Sequence, residues 1–209
     1  MDLNYDNSFI DITPDLEEKV YFNYHDIVHD DMSNGDGLRV VLFLSGCNHG
    51  CPGCQNQNTW SRHSGIPFTD WEKAEVYSQL EKDYIQGITF SGGDPLYKWN
   101  RESVGLIIDE IKSLYPDKDI WLYTGYQFSF DDNGIPYFEE VCPWKQEKET
   151  FQLEWISKVD VLIDGPFISE IRNSDIKKGC LPHWRGSSNQ RVIDVNKSLH
   201  SKEVLLHCA

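Results

Sequence analysis

Eight residues, Cys47-Asn48-His49-Gly50-Cys51-Pro52-Gly53-Cys54, carry three cysteines at the spacing C-x3-C-x2-C. Thiolates are the soft ligands that iron–sulfur clusters and zinc select. Close cysteine spacing lets one short loop wrap one cluster. Three thiolates around a four-iron cubane leave one iron with an open coordination position, which catalysis needs and a structural site closes. Gly46, Gly50 and Gly53 keep the loop slim. Pro52 fixes one backbone angle and brings no N–H to satisfy. Two other readings use the same residues. One is a disulfide with a thiol left over. The other is a structural zinc site completed by His49, His63 or Cys142. No second CxxC and no HxxxH pair at finger spacing follows downstream, so the ligand count favours the open-iron cluster.

A second candidate is Gly92-Gly93-Asp94-Pro95. An open iron can take a ligand through an amine and a carboxylate, a pair that the methionine end of S-adenosylmethionine offers. Two residues without side chains let backbone groups approach such an amine closely. Asp94 would add a charge-assisted hydrogen bond to the ammonium. The same residue types also make a plain strand-to-helix turn. Arg185 and Arg191 are candidates of a different kind: either could bind a carboxylate or brace a partner's loop, or pair with an acid such as Asp160 or Asp164. His25 and His29, four apart, would share one helix face. No third ligand accompanies them, so they are read as part of a polar extension.

These candidates need elements to position them. Arg39-Val40-Val41-Leu42-Phe43-Leu44 is a continuous apolar run, the pattern of a strand buried on both faces. The cysteine loop starts at its carboxyl end, where parallel α/β folds place their ligand sites. Thr69-Asp70-Trp71-Glu72 is a capping box that opens a helix, with Val76, Tyr77, Leu80 and Tyr84 as its apolar stripe. Gly87–Ser91 reads as a second strand. A helix near 101–115 puts Val104, Ile107, Ile108, Ile111, Leu114 and Tyr115 on one face, and Pro116 stops it. Residues 119–124 and 159–163 read as a third and a fourth strand, ending at Gly125-Tyr126 and Asp164-Gly165-Pro166. A short helix is expected near 151–157 and a last strand at 192–195. Residues 127–150, rich in Asp, Glu, Pro and Asn, read as an insertion or long loop, and Cys142 within them as an ordinary thiol.

Strands alternating with helices predict an α/β fold with a parallel sheet and right-handed crossovers. Five strand signals fall short of an eight-stranded barrel, so the expected architecture is a partial, open parallel β/α barrel. The expected organisation is an N-terminal extension over 1–36, a single domain over 37–195 and a C-terminal tail over 196–209.

The chain has 209 residues, 39 % of them hydrophobic, with seven Trp, ten Tyr and ten Phe. That is enough for a sizeable core. A formal net charge of -15 repels a nucleic-acid backbone, so DNA and RNA are not expected as partners. No run of about 18 apolar residues suggests a membrane span, and the N-terminus lacks a signal-peptide pattern. Six cysteines in such a chain read as reduced thiols and ligands, which fits a reducing cytoplasm.

The cysteine loop followed by Gly92-Gly93-Asp94-Pro95 resembles the radical S-adenosylmethionine superfamily. Taken with Asn58-Thr59-Trp60, Trp121-Leu122-Tyr123-Thr124-Gly125-Tyr126, Val159-Asp160-Val161 with Asp164-Gly165, and Trp184-Arg185-Gly186-Ser187-x-Asn189-Gln190-Arg191, it resembles one branch of that superfamily. That branch is the activating proteins of anaerobic, class III ribonucleoside-triphosphate reductases. The resemblance spans about residues 34–195. It implies that Cys47, Cys51 and Cys54 hold a 4Fe-4S cluster. It also implies that Gly53, Cys54 and Gln55 line S-adenosylmethionine near the cluster, and that Gly92 and Gly93 hold its methionine end. Gln55 departs from the family, which commonly has an aromatic residue there. The implied reaction is one-electron cleavage of S-adenosylmethionine to methionine and a 5′-deoxyadenosyl radical. That radical takes a hydrogen from one glycine of the large reductase subunit, and a flavodoxin-type protein is the implied electron donor. Two rivals remain at this point: a radical enzyme with its own small-molecule substrate, and a structural zinc or iron–sulfur module.

Overall fold

The computed structural model describes residues 18–172 and 184–207; Cys180 and Cys208, two of the six cysteines, lie outside them. Along the described residues the chain runs β1 (Phe22–Asp31), β2 (Leu38–Leu44), β3 (Ile66–Phe68), α1 (Asp70–Leu80), β4 (Ile85–Gly92), α2 (Arg101–Leu114), β5 (Asp119–Tyr123), β6 (Gln127–Phe130), β7 (Pro136–Glu139), β8 (Thr150–Phe151), β9 (Val161–Asp164), β10 (Arg191–Asp194) and α3 (Val195–Ser201).

Seven strands form one sheet in the order β10-β9-β5-β4-β2-β1-β3. The four inner strands β2, β4, β5 and β9 are parallel. The sheet is open, and its outer strands are antiparallel. Alternate residues of each strand serve opposite faces. Val40, Leu42, Leu44, Ile88, Phe90, Ile120, Leu122 and Leu162 join the main core with Val76 and Leu80 of α1 and Val104, Ile107, Ile108 and Ile111 of α2. Trp121, Val161, Ile163 and Val192 form a smaller cluster with Tyr123 and Trp184. Arg39 is fully buried beside it. Its guanidinium donates to Thr89 Oγ1 at 2.7 Å and to Asp119 Oδ1 at 2.6 Å, and it lies over the Trp121 ring.

The predicted capping box opens α1: Thr69 accepts from Trp71 N, and Glu72 reaches back to Thr69 N. The predicted apolar face of α2 is buried as far as Ile111, whereas Leu114 and the predicted stripe residue Tyr84 are exposed. The mixed α/β class with inner parallel strands is as expected; four details differ. The last predicted strand, β10, is antiparallel to β9, with Arg191 opposite Asp164 and Asp194 opposite Val161. Antiparallel pairing returns the chain without a crossover. Residues 127–150 hold more than a loop. With Phe151 they form a second sheet, β6-β7-β8, in antiparallel pairing. Asp131 closes its hairpin by accepting from Asn133 N and Ile135 N. Phe128 and Phe138 are buried, and Phe138 stacks on Phe151 with centroids 5.4 Å apart. The helix expected near 151–157 is a short 3-10 turn, Glu154–Lys158. Finally, His25 and His29 stand on a strand, not a helix. Residues 22–31 pair with β2, and 22–24 pair also with β3, where Tyr21, Phe22 and Tyr24 pack against Phe68. His25 meets Ser64 Oγ at 3.0 Å and His29 meets Glu75 at 2.9 Å.

Candidate metal centre

The carboxyl ends of β2, β4, β5 and β9 release four loops onto one cleft. Its lining includes Cys47, Cys51 and Cys54 from the first, Gly92, Gly93 and Asp94 from the second, Thr124 and Gly125 from the third, and Gly165 and Phe167 from the fourth. The first two are stitched by backbone: Gly93 N donates to Leu44 O at 2.7 Å and Asp94 N to Gly46 O at 2.8 Å. The cysteine loop closes on its own far end, with Gly46 N bound to Thr59 O and Cys47 N to Trp60 O. Gly92 has φ +95°, and a Cβ there would meet Leu44 N at 2.7 Å. A Cβ on Gly93 would meet Gly46 O at 2.5 Å. The glycine pair is therefore needed for the close approach of two backbones as well as for any ligand.

Asp94 is 1 % exposed, and its carboxylate is a hub. It accepts from Leu96 N at 2.7 Å, from Thr124 Oγ1 at 3.0 Å and from Gly125 N at 2.8 Å. His49 Nε2 adds a contact of 2.6 Å. The other ring nitrogen of His49 faces Glu140, with Nδ1 3.0 Å from Oε2. Burial opposes a charge on this ring, but the hydrogen bonds and charges of Asp94 and Glu140 outweigh it and raise the pKa to about 9. Burial likewise opposes charge on Glu140, yet His49, Cys142 and Lys145 hold its carboxyl well below the usual range. A hydrogen bond from the Cys142 thiol lowers Cys51 to about 7, and the same contact pushes Cys142 up. Burial, then the Asp94 charge, pushes the Cys47 thiol up, so a metal must displace that proton as it binds.

The structure brings Cys47, Cys51, Cys54, Gly92, Gly93 and Asp94 together on one cleft. Gly53 and Gln55 are exposed and are not among its lining residues. Arg191 is paired with Asp164 and Phe128 O, and Arg185 donates to Gln190 O at 3.0 Å. Cys142, read as an ordinary thiol within a loop, is buried with its Sγ 3.5 Å from His49 Nδ1. Sequence distance hid this contact and the places of Glu140 and Asn100. Asn100 Nδ2 donates to Ser45 O at 2.8 Å and to Asp94 O at 3.0 Å. A Glu-x-Cys pair inside an aromatic hairpin was the one signal for the former.

The donor set fits a 4Fe-4S cluster. Cys47, Cys51 and Cys54 are all free thiols on one cleft. Of the candidate fourth ligands, His49 has both nitrogens on carboxylates. His63 is exposed and held by Arg62, whereas the third, Cys142, is a buried thiol hydrogen-bonded to Cys51.

Residues 33–193 match the family of the 4Fe-4S single cluster domain. The chain is 41 % identical over 170 residues to the anaerobic ribonucleoside-triphosphate reductase-activating protein of Enterobacteria phage T4, covering 81 % of this chain and 92 % of that one. Proteins of the same name match at 36 % in Escherichia coli K12 and 37 % in Haemophilus influenzae, each over 172 residues. Those two matches cover 81 % of this chain and 97 % and 96 % of theirs. The chain belongs to the family of anaerobic ribonucleoside-triphosphate reductase-activating proteins. Among the described residues no helix is long and apolar enough to cross a membrane.

Proposed function

We propose that this protein activates an anaerobic ribonucleoside-triphosphate reductase by generating a glycyl radical on the large subunit. The observation that carries the reading is the meeting of three free thiols and Gly92-Gly93 on one cleft, in a chain of this family. Cys47, Cys51 and Cys54 would hold the 4Fe-4S cluster, and Gly92 and Gly93 the methionine end of S-adenosylmethionine, with Gly53, Cys54 and Gln55 near the cluster. Asp94 serves through its hub of contacts, since Leu96, Thr124, Gly125 and His49 occupy its carboxylate. Together, when bound, the cluster and S-adenosylmethionine supply one-electron cleavage of the sulfonium and abstraction of hydrogen from the reductase glycine.

The chain's own share is position and shielding. Its four loops fix the thiols against the glycine pair. The open sheet, read as a partial barrel of the radical S-adenosylmethionine type built on residues 37–195, leaves Gly50, Pro52, Gly53 and Gln55 exposed. A docked reductase would cover that surface and exclude water from it. A flavodoxin-type donor and a reducing cytoplasm complete the reading, with free thiols as its support. The test is anaerobic reconstitution with iron and sulfide, then mixing with the reductase, S-adenosylmethionine and a reductant. A doublet radical signal on the reductase, lost when its radical glycine is replaced by alanine, is the expected result. No association between the two proteins, even with the cluster reduced and S-adenosylmethionine present, would overturn it in favour of a small-molecule substrate.

A further inference from the structure

His49 lies between two cysteines of the loop, yet its side chain is turned away into the protein, 2 % exposed. Three separate segments hold it. Asp94, from the loop after β4, meets Nε2 at 2.6 Å. Glu140, after β7, meets Nδ1 at 3.0 Å. Trp144 Nε1 donates to the His49 carbonyl at 2.6 Å. Tyr126 packs edge-on to the ring with centroids 4.6 Å apart. The fit extends to Gly125, where a Cβ would meet the imidazole at 2.4 Å. Each ring nitrogen therefore faces a buried carboxylate oxygen at hydrogen-bond distance, and the pair fixes the ring's position and rotation. A histidine that merely filled the core would need neither carboxylate.

We propose that His49 is the positioning residue of the cysteine loop. Its imidazole, clamped between Asp94 and Glu140, sets the orientation of the three thiols against the Gly92-Gly93 loop. The second sheet is thereby part of the site, since Glu140, Cys142 and Trp144 all follow β7 and all reach His49. Removing the clamp leaves the three cysteines in place to take up iron but loosens the alignment on which the second ligand depends. Outer partners of a metal site have this leverage, and their loss costs about 10- to 100-fold in affinity or activity.

The inference rests on the reading of the cleft as the cluster and S-adenosylmethionine site. Its test needs no reductase. His49→Gln, Glu140→Gln and the double variant are reconstituted as full chains. Iron content, melting temperature, S-adenosylmethionine affinity and the electron paramagnetic resonance spectrum of the reduced cluster are then measured. Wild-type-like iron is expected, with S-adenosylmethionine affinity about 10- to 100-fold weaker in His49→Gln and an altered spectral response to S-adenosylmethionine. Glu140→Gln should give a smaller loss, and the double variant no more than His49→Gln alone, because the two residues act as one unit. Unchanged affinity and spectrum in an iron-loaded His49→Gln would overturn the proposal. If that variant does not fold or load iron, Glu140→Gln decides: wild-type affinity and spectrum in it overturn the proposal. A stoichiometric zinc held by His49, Glu140 and Cys142 in the wild-type chain would overturn it too. Should binding depend on His49 while the reductase never acquires a radical, the proposed function fails and this inference stands.

Discussion

The parallel strands β2, β4, β5 and β9 reach the cleft by their carboxyl ends, whereas the small sheet β6-β7-β8 reaches it from the side, through the residues that follow β7. The first region delivers backbone and thiols: the cysteine loop, the glycine pair, the Thr124-Gly125 turn and Gly165. The second delivers braces: Glu140, Cys142 and Trp144, all turned to His49. What a strand end offers is fixed by local sequence, because a loop must start where its strand stops. What a brace offers is fixed only by tertiary packing, and Glu140 lies 91 residues from the histidine it serves.

The sharpest way to break this division is at the cysteines. Cys47→Ala, Cys51→Ala and Cys54→Ala should each abolish radical formation and lower iron and sulfide content on reconstitution. Cys142→Ala should keep both, although its thiol lies against Cys51 and His49. Iron and sulfide analysis beside radical yield checks the pair. An iron-free Cys142→Ala protein would make the side sheet a ligand donor, and the two regions would no longer differ in kind.

The same contrast decided what could be read in advance. Strand β2 announced itself through its continuous apolar run, α1 through its capping box and α2 through its stripe, since each pattern lies within a few residues of itself. The cysteines and the glycine pair were legible for the same reason. The side sheet was not, because its aromatic residues Phe128, Phe138 and Phe151 alternate with turn formers and acids that read as loop. Nor was β1, whose polar residues conceal that Tyr21, Phe22 and Tyr24 close over Phe68. The roles of His49, Asn100 and Glu140 depend on partners 45 to 91 residues away, which no local pattern records.

If the side sheet is a packed unit, emptying it should be expensive. Phe138 is 1 % exposed, stacked on Phe151 and 5.3 Å from Phe128. Phe138→Ala should destabilise the fold by about 3–5 kcal/mol, read from the urea midpoint of the reconstituted protein. A loss under about 1 kcal/mol, well below the core range, would mean that residues 127–151 do behave as the loop their composition suggests.

Two glycines of the strand-end region separate space from backbone angle. Gly93 has no room: an added Cβ would lie 2.5 Å from Gly46 O. Gly50 has φ +63° but nothing within 4 Å of its Cβ position. Gly93→Ala should therefore push the two loops apart at a cost of about 1–3 kcal/mol, with iron and S-adenosylmethionine binding falling together. Gly50→Ala should cost about 1–2 kcal/mol for the left-handed backbone and keep its iron. Equal iron contents would show that the contact of Gly93 with Gly46 does not shape the site.

The smallest effects come from two residues that occupy the same kind of place, the start of a helix, and use it differently. Thr69 caps α1 and completes its capping box with Glu72. Asn100 stands at the start of α2 but makes no cap bond with its side chain. Its amide donates to the carbonyls of Ser45 and Asp94, at the roots of the cysteine loop and the glycine loop. Asn100→Ala strands the buried Ser45 carbonyl and leaves that of Asp94 with Tyr97 N alone, at about 1–3 kcal/mol. It should also weaken S-adenosylmethionine binding, because the two roots lose their tie. Thr69→Ala should cost about 1 kcal/mol and leave that binding as it was, since α1 supplies no residue to the cleft. Melting temperature and S-adenosylmethionine titration on the two variants separate the roles. If Asn100→Ala loses stability alone, like Thr69→Ala, then Asn100 is an ordinary helix start and the strand-end region holds its loops together by backbone contacts and Asp94.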